Sequence, residues 1–272
     1  ETVARFRDRV ELFFQFDGFR HEIGQALRGE DVVETKLLAL DRVAAAGIHC
    51  TLAVTLQGGV NDDQIGPIIQ YAAQRKTITA INFQPATYSG RHVLPEDLER
   101  RITFPDVIQA AESQTNGLFQ REDFIPLPCA HPNCHSLAYA FRFGETLIPL
   151  TRFINARENL DLLANGISFT RPAARNLLLK YLGSAGCCSD GGGCGSGQEL
   201  VSLGPAPEFK VDREWLRKQT GDDALTEAAA QFFDRILAQQ LGARDVFRIV
   251  ITSFLDAYNF DVRRLMKCCT HH

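Results

Sequence analysis

The stretch VELFFQFDGF, Val10–Phe19, decides the fold. Its apolar and aromatic run reads as a buried strand, closed by a polar turn at Asp17-Gly18. The chain then alternates. Asp31–Ala46 carries apolar residues at helical spacing (Val32, Val33, Leu37, Leu40, Val43, Ala44) and stops at Gly47, a residue suited to the left-handed position after a helix. Ile48–Leu56 is a second strand. Gln57–Asp62 is a turn in which Asn61 or Asp62 can cap a helix over Asp63–Ala73. Thr77–Phe83 is a third strand, and Pro105–Gln114 a helix with Pro in its first turn.

Strands alternating with helices imply a parallel sheet with right-handed crossovers. Three such units are too few for a closed eight-stranded barrel. Ligands of parallel sheets sit at the carboxyl ends of the strands. Here those ends read Gln15-Phe16-Asp17-Gly18, Thr55-Leu56-Gln57-Gly58-Gly59 and Asn82-Phe83-Gln84-Pro85, all polar or rich in Gly. Together they suit a binding rim; Asp17 can hold a ligand hydroxyl or simply form the turn.

The pattern changes near Asp123. Leu137–Phe143 and Thr146–Ile154 read as a hairpin turning at Gly144-Glu145. Glu158–Ala164, Arg171–Tyr181, Asp212–Lys218 and Asp223–Gln240 read as helices, and Asp245–Ser253 as a strand. Gly183–Gly197 is a loop of Gly, Ser and Cys without periodicity. The expected division is therefore 1–122, an α/β half-barrel, and 123–272, a mixed α+β cysteine-rich region.

With 272 residues, 45% of them hydrophobic and 23% charged, the chain has the composition of an ordinary globular protein. A net charge of −4 with no basic cluster gives no electrostatic footprint for nucleic acid. No apolar run approaches the length of a membrane span. No secretory signal opens the chain, so a cytoplasmic protein with reduced thiols is expected. The chain starts at Glu1 without an initiator Met, close to a strand, and ends just after a cysteine pair. We expect a piece of a longer polypeptide.

Seven of the eight cysteines fall in three tight groups. Cys129 and Cys134 lie in PCAHPNCH, Cys187, Cys188 and Cys194 in CCSDGGGCG, and Cys268 and Cys269 in KCCTHH. Iron–sulfur clusters take thiolates from short Gly- and Pro-containing loops plus distant residues. Zinc is the alternative, since Cys129-x4-Cys134 suits a zinc loop, but the repeated two-residue spacing of a zinc ribbon is missing. Cys50 lies inside the second strand and is expected in the core. His131 and His135 flank the first cysteine loop, where surface or supporting roles are commoner than ligation.

FQFDGF (Phe14–Phe19), INFQPATYSGR (Ile81–Arg91), PCAHPNCHS (Pro128–Ser136) and SFLDAYNFDVRRLMKCCTHH (Ser253–His272) together resemble the radical SAM superfamily. More narrowly, they resemble the branch of tetraether lipid synthases and pterin-linked methylases. The resemblance covers nearly the whole chain. It implies that the first part is the second half of a partial (β/α)6 barrel, followed by an auxiliary cluster region. It implies that Gln15, Asp17, Phe83 and Gln84 lie at the barrel mouth near S-adenosylmethionine. It also implies that Cys129, Cys134, Cys187, Cys188, Cys194, Cys268 and Cys269 are candidate ligands of auxiliary 4Fe–4S clusters. Members of this kind make an adenosyl radical that abstracts hydrogen from an unactivated carbon, leading to methylation or carbon–carbon coupling. A lipid or small-molecule substrate and a reductant such as ferredoxin or flavodoxin follow from the same resemblance.

The CxxxCxxC loop that holds the superfamily's cleaving cluster is not in this sequence. By the resemblance it belongs upstream of Glu1, so this chain alone is expected to be inert. A different class stays open, a non-catalytic module stabilised by Fe–S or Zn. A zinc hydrolase is disfavoured because no HExxH or similar set occurs.

Overall fold

The computed structural model describes residues 3–7, 9–88, 100–127, 130–154, 213–238 and 240–266. They fall into two compact units, one of 3–154 with 242–266 and one of 213–238 with 240–241.

The larger unit begins with alternating elements. Strand β1 (Glu11–Gln15) is followed by helices α1 (His21–Arg28) and α2 (Val33–Ala45), then β2 (His49–Leu56), α3 (Ile65–Ala73), β3 (Ile78–Pro85) and α4 (Phe104–Gln114). Gly47 takes a left-handed φ of 69° after α2, as a helix stop requires. α4 opens on a capping box between Thr103 and Asp106, with Pro in its first turn. After β4 (Ile125–Pro126), β5 (His135–Phe143) and β6 (Thr146–Pro149) form the expected hairpin about Gly144, whose φ is 62°. β6 stops earlier than Ile154 because Pro149 ends the pairing and Leu150–Arg152 turns into a 3-10 helix.

The smaller unit contains α5 (Arg213–Thr220) and α6 (Asp223–Leu237), the latter capped by the Asp222 carboxylate accepting from the Leu225 amide at 2.7 Å. The larger unit resumes with β7 (Val246–Thr252) and the short α7 (Val262–Met266).

One seven-stranded sheet, ordered β1-β2-β3-β7-β5-β4 with β6 also on β5, draws strands from both sides of position 122. β1, β2, β3 and β7 run parallel, and β5 lies antiparallel between β7 and the β4 and β6 segments. The molecule is thus a mixed α/β fold. Alternation along each strand separates two faces. Leu52, Val54, Ile81, Phe83, Ile249 and Ile251 join one core cluster with Ile65, Ile68 and Ile69 of α3 and Val107 of α4. The other face carries Gln15, Thr55, Asn82, Gln84 and Thr252, aligned through the strand register.

Two local expectations are corrected. α1 was not expected, because it is only eight residues long and buries only Ile23 and Gly24. Asn61 does not cap α3. It is wholly buried and its Nδ2 donates to the carbonyls of Asp17 (2.9 Å) and Thr55 (2.7 Å), while a 3-10 turn over Asp62–Gln64 leads into the helix. The helices expected at Glu158–Ala164 and Arg171–Tyr181 and the loop Gly183–Gly197 lie outside the described residues.

Candidate functional site

The carboxyl ends of β1, β2, β3 and β7 share one edge of the sheet, and β5 starts there. Four of the residues singled out in the sequence lie at this edge. Asp17 is 6% exposed and its carboxylate is fully engaged. Arg28 donates Nε to Oδ2 (2.9 Å) and Nη2 to Oδ1 (3.2 Å), the Thr55 amide donates to Oδ1 (2.9 Å), and Gln15 Nε2 donates to Oδ2. Lys36 Nζ in turn donates to Gln15 Oε1, and burial lowers the Lys36 pKa against the opposing pull of Asp17. Gly18 follows with φ 149°, and a Cβ there would lie 2.8 Å from Ile23 Cδ1, so the turn that aims Asp17 requires glycine. Asp17 therefore clasps three chain segments together, and Gln15 is bonded at both ends of its amide.

Phe83 and Gln84 divide between the faces. Phe83 is wholly buried in the core cluster. Gln84 is half-buried beside Thr55 on the open face, with no bonded side-chain partner among the described residues. Next to it, Thr252 Oγ1 donates to Asn82 Oδ1 (2.9 Å) and lies 3.2 Å from His135 Nδ1. Burial, and secondarily the charge of Arg264, lowers the His135 pKa.

A second buried carboxylate organises the adjoining loops. Asp256 has a fully buried side chain that receives Arg101 through Nη1 (3.1 Å) and Nη2 (2.6 Å). The amides of Tyr88 (2.9 Å), Tyr258 (2.9 Å) and Asn259 (3.1 Å) complete its shell. Burial opposes its ionisation, but the guanidinium fork and the amides outweigh it and hold the pKa at about 2. Between this clasp and the ends of β3 and β7 lies a cavity of about 330 Å³, lined by residues that include Pro85, Thr103, Phe254 and Arg264. A wider, more open cleft of about 590 Å³ runs past Gly58, Gly59 and Arg100.

Of the seven clustered cysteines only Cys134 is described; Cys129, Cys187, Cys188, Cys194, Cys268 and Cys269 lie outside the described residues. Cys134 is a half-buried free thiol in a turn closed by its amide donating to His131 O (2.8 Å). Its own carbonyl accepts from the Ser253 amide (3.1 Å), which fixes the cysteine loop to the carboxyl end of β7. Among the described residues no three His, Cys, Asp or Glu side chains come together to hold a metal. Cys50 is a core residue, 1% exposed, its thiol pushed up to about 12 by burial and by nearby Glu11.

The sequence reading missed Arg28, Arg101, Asp256 and Arg264, and gave Asn61 only a capping role. Spacing carried no signal for the Arg101–Asp256 pair, which is separated by 155 residues. Gly29, with its left-handed φ of 79°, was a readable stop for the helix that ends in Arg28.

Fold and site define a mixed α/β protein with three βα units, a polar rim at the carboxyl ends of its parallel strands, and a cysteine loop tied to that rim. No protein-family profile matches the chain. Over 284 aligned residues it is 28% identical to a protein of Methanocaldococcus jannaschii named 7,8-dihydro-6-hydroxymethylpterin dimethyltransferase. The alignment takes in 96% of this chain and 53% of that relative, so the chain spans about half the length of the curated relative it matches. No described helix is long and apolar enough to cross a membrane.

Proposed function

We propose that this chain is part of a radical S-adenosylmethionine enzyme that methylates, or forms a carbon–carbon bond at, an unactivated carbon. Its parallel units are the second half of a partial (β/α)6 barrel. A pterin-type small molecule is the substrate class favoured over a lipid. The observation that carries the reading is the similarity to a pterin dimethyltransferase along 96% of the chain. The polar rim supports it, because ligands of parallel βα units bind at that edge.

S-adenosylmethionine would lie over the open face, with Gln84 and Thr55 within its reach and the Asp17–Arg28–Gln15 clasp shaping the mouth. Cleaved by one electron from ferredoxin or flavodoxin, S-adenosylmethionine would lose methionine and supply an adenosyl radical to take the hydrogen atom. Auxiliary 4Fe–4S clusters draw their ligands from Cys129, Cys134, Cys187, Cys188, Cys194, Cys268 and Cys269. Cys134 fits this role as a free thiol on a tight Pro-containing turn. Its carbonyl is bonded to Ser253, whose carbonyl accepts from Arg264. Cys268 follows Arg264 by four residues, and chain length alone limits their separation to about 14 Å.

Two measurements test the reading. Chain purified without oxygen is expected to hold iron and acid-labile sulfide, and Cys134→Ser and Cys268→Ser are each expected to lose iron. A colourless wild-type protein that holds zinc instead removes the cluster reading and leaves a metal-stabilised module. Incubated with S-adenosylmethionine and a strong reductant, this chain is expected to release no 5′-deoxyadenosine, because it carries no CxxxCxxC. Turnover by this chain would mean that the cleaving site is held by other residues.

A further inference from the structure

Among the described residues, Arg264 differs from the other arginines of the larger unit that reach inward. Arg28 faces Asp17, Arg101 faces Asp256 and Arg152 faces Asp123, each through an ion pair of 2.6 to 2.9 Å. Arg142 meets no carboxylate but donates to four main-chain carbonyls. Arg264 is only 5% exposed, yet its one hydrogen bond among the described residues runs from Nη2 to Ser253 O at 2.5 Å. Its Nε is buried without a partner, as is that of Arg142, but the terminal nitrogens of Arg142 are taken up by main-chain carbonyls. A guanidinium removed from water needs a counter-charge or a full set of acceptors, and among the described residues this one has neither.

The same side chain lines the cavity of about 330 Å³ at the ends of β3 and β7. That volume matches the lower range of small-molecule sites, about 300–1,000 Å³. Phe104 and Phe254 give the cavity apolar walls, and Thr103 and Asn133 add polar groups. Helix α4 opens there through Thr103, Phe104 and Pro105, so the positive end of an 11-residue helix adds to the field, although Asp106 already closes its capping box. The other charges in the lining do not satisfy Arg264. Arg101 is neutralised by Asp256, and Asp261 accepts from the Arg263 amide at 2.8 Å and forms no described pair with Arg264.

We infer that this cavity is an oxyanion site. It takes a small organic molecule whose carboxylate or phosphate pairs with Arg264 and whose apolar body lies against Phe104 and Phe254. The site does not depend on the radical reading and survives its failure.

Calorimetric titration of the whole chain with inorganic phosphate and, separately, acetate at constant ionic strength tests it. Saturable binding of at least one probe is expected. Arg264→Gln should weaken it by about tenfold or more, as loss of a charge-assisted contact does, while Arg264→Lys should keep most of it. If Arg264→Gln fails to fold by circular dichroism, Asn133→Asp serves instead: at an exposed position it sets a negative charge on the cavity wall and should also abolish binding. Phosphate preferred over acetate identifies a phosphoester, and the reverse a carboxylate. If added S-adenosylmethionine displaces the probe, the carboxylate is that of the cosubstrate. No saturable binding of either probe, or binding unchanged in both Arg264→Gln and Asn133→Asp, overturns the site.

Discussion

At the amino-terminal end of the sheet, Arg142 gives its guanidinium to the carbonyls of Ala72 (3.3 Å), Ala73, Arg75 (3.3 Å) and Ile78 (2.8 Å), closing the end of α3 onto the start of β3. At the carboxyl-terminal end, Arg264 reaches only Ser253 among the described residues. Both side chains are more than nine-tenths buried. At one end the terminal nitrogens of a buried cation are taken up by the fold, although its Nε has no partner, and its place at a helix carboxyl terminus is where a positive charge is favourable. At the other end the fold leaves a cation, an amide at Gln84 and a free thiol at Cys134 without full internal use. Parallel βα architectures divide in this way, with one end serving stability and the other presenting groups to a ligand.

Replacing Arg142 is the strongest way to test the stability side of this contrast. Arg142→Met keeps most of the stem against Phe247, whose ring lies 5.2 Å from the guanidinium, but strands the carbonyls it served. A loss of about 3 kcal/mol or more is expected, since buried acceptors lose charge-assisted bonds together. A urea midpoint measured against wild type checks it. A loss below about 1 kcal/mol would mean that water or neighbouring amides can take over those carbonyls, and the two ends would no longer differ in kind.

Asp256 comes next in size and belongs to the other end. Folding lowers its pKa from 3.8 to about 2, so the stability it lends is complete above the unfolded value and is lost as pH falls through the folded one. The difference corresponds to about 2 kcal/mol. Asp256→Asn should cost about that much at neutral pH and flatten the fall in stability between pH 4 and pH 2 that wild type shows. Denaturant midpoints across that range read both effects. An equally steep acid limb in the variant would show that the loss does not come from Asp256.

Much of the parallel half was readable from sequence because strand alternation and helix punctuation are local. Gly47 and the Pro that opens α4 marked their elements within a few residues, as Gly144 did for the antiparallel hairpin. The pairing of β7 beside β3 was not readable, since Asp245–Ser253 could be recognised as a strand but nothing in it names its neighbour. The site was legible in outline for the same reason. Strand ends announce a rim, but whether a rim residue faces ligand or holds the fold depends on partners set by tertiary structure. Asp17 read equally as a ligand contact or a turn former, and its carboxylate accepts from Arg28, Thr55 and Gln15. Arg264 lay inside a quoted motif, and its lack of a counter-charge could be seen only in three dimensions.

Gln84 should give the smallest effect on stability and makes the sharpest test of the open end. It neighbours Phe83 in sequence but projects to the opposite face, half-buried and without a described side-chain partner. Removing its amide leaves no acceptor or donor stranded. Gln84→Ala is therefore expected to shift stability by less than about 0.5 kcal/mol. The measurement is the urea midpoint, paired with S-adenosylmethionine binding by the longest natural form of the polypeptide. Unchanged stability with weakened binding would make Gln84 a ligand-facing group. A stability loss well above 1 kcal/mol would show that the open face is packed in the folded protein, and the division between the two ends of the sheet would then fail at its most exposed point.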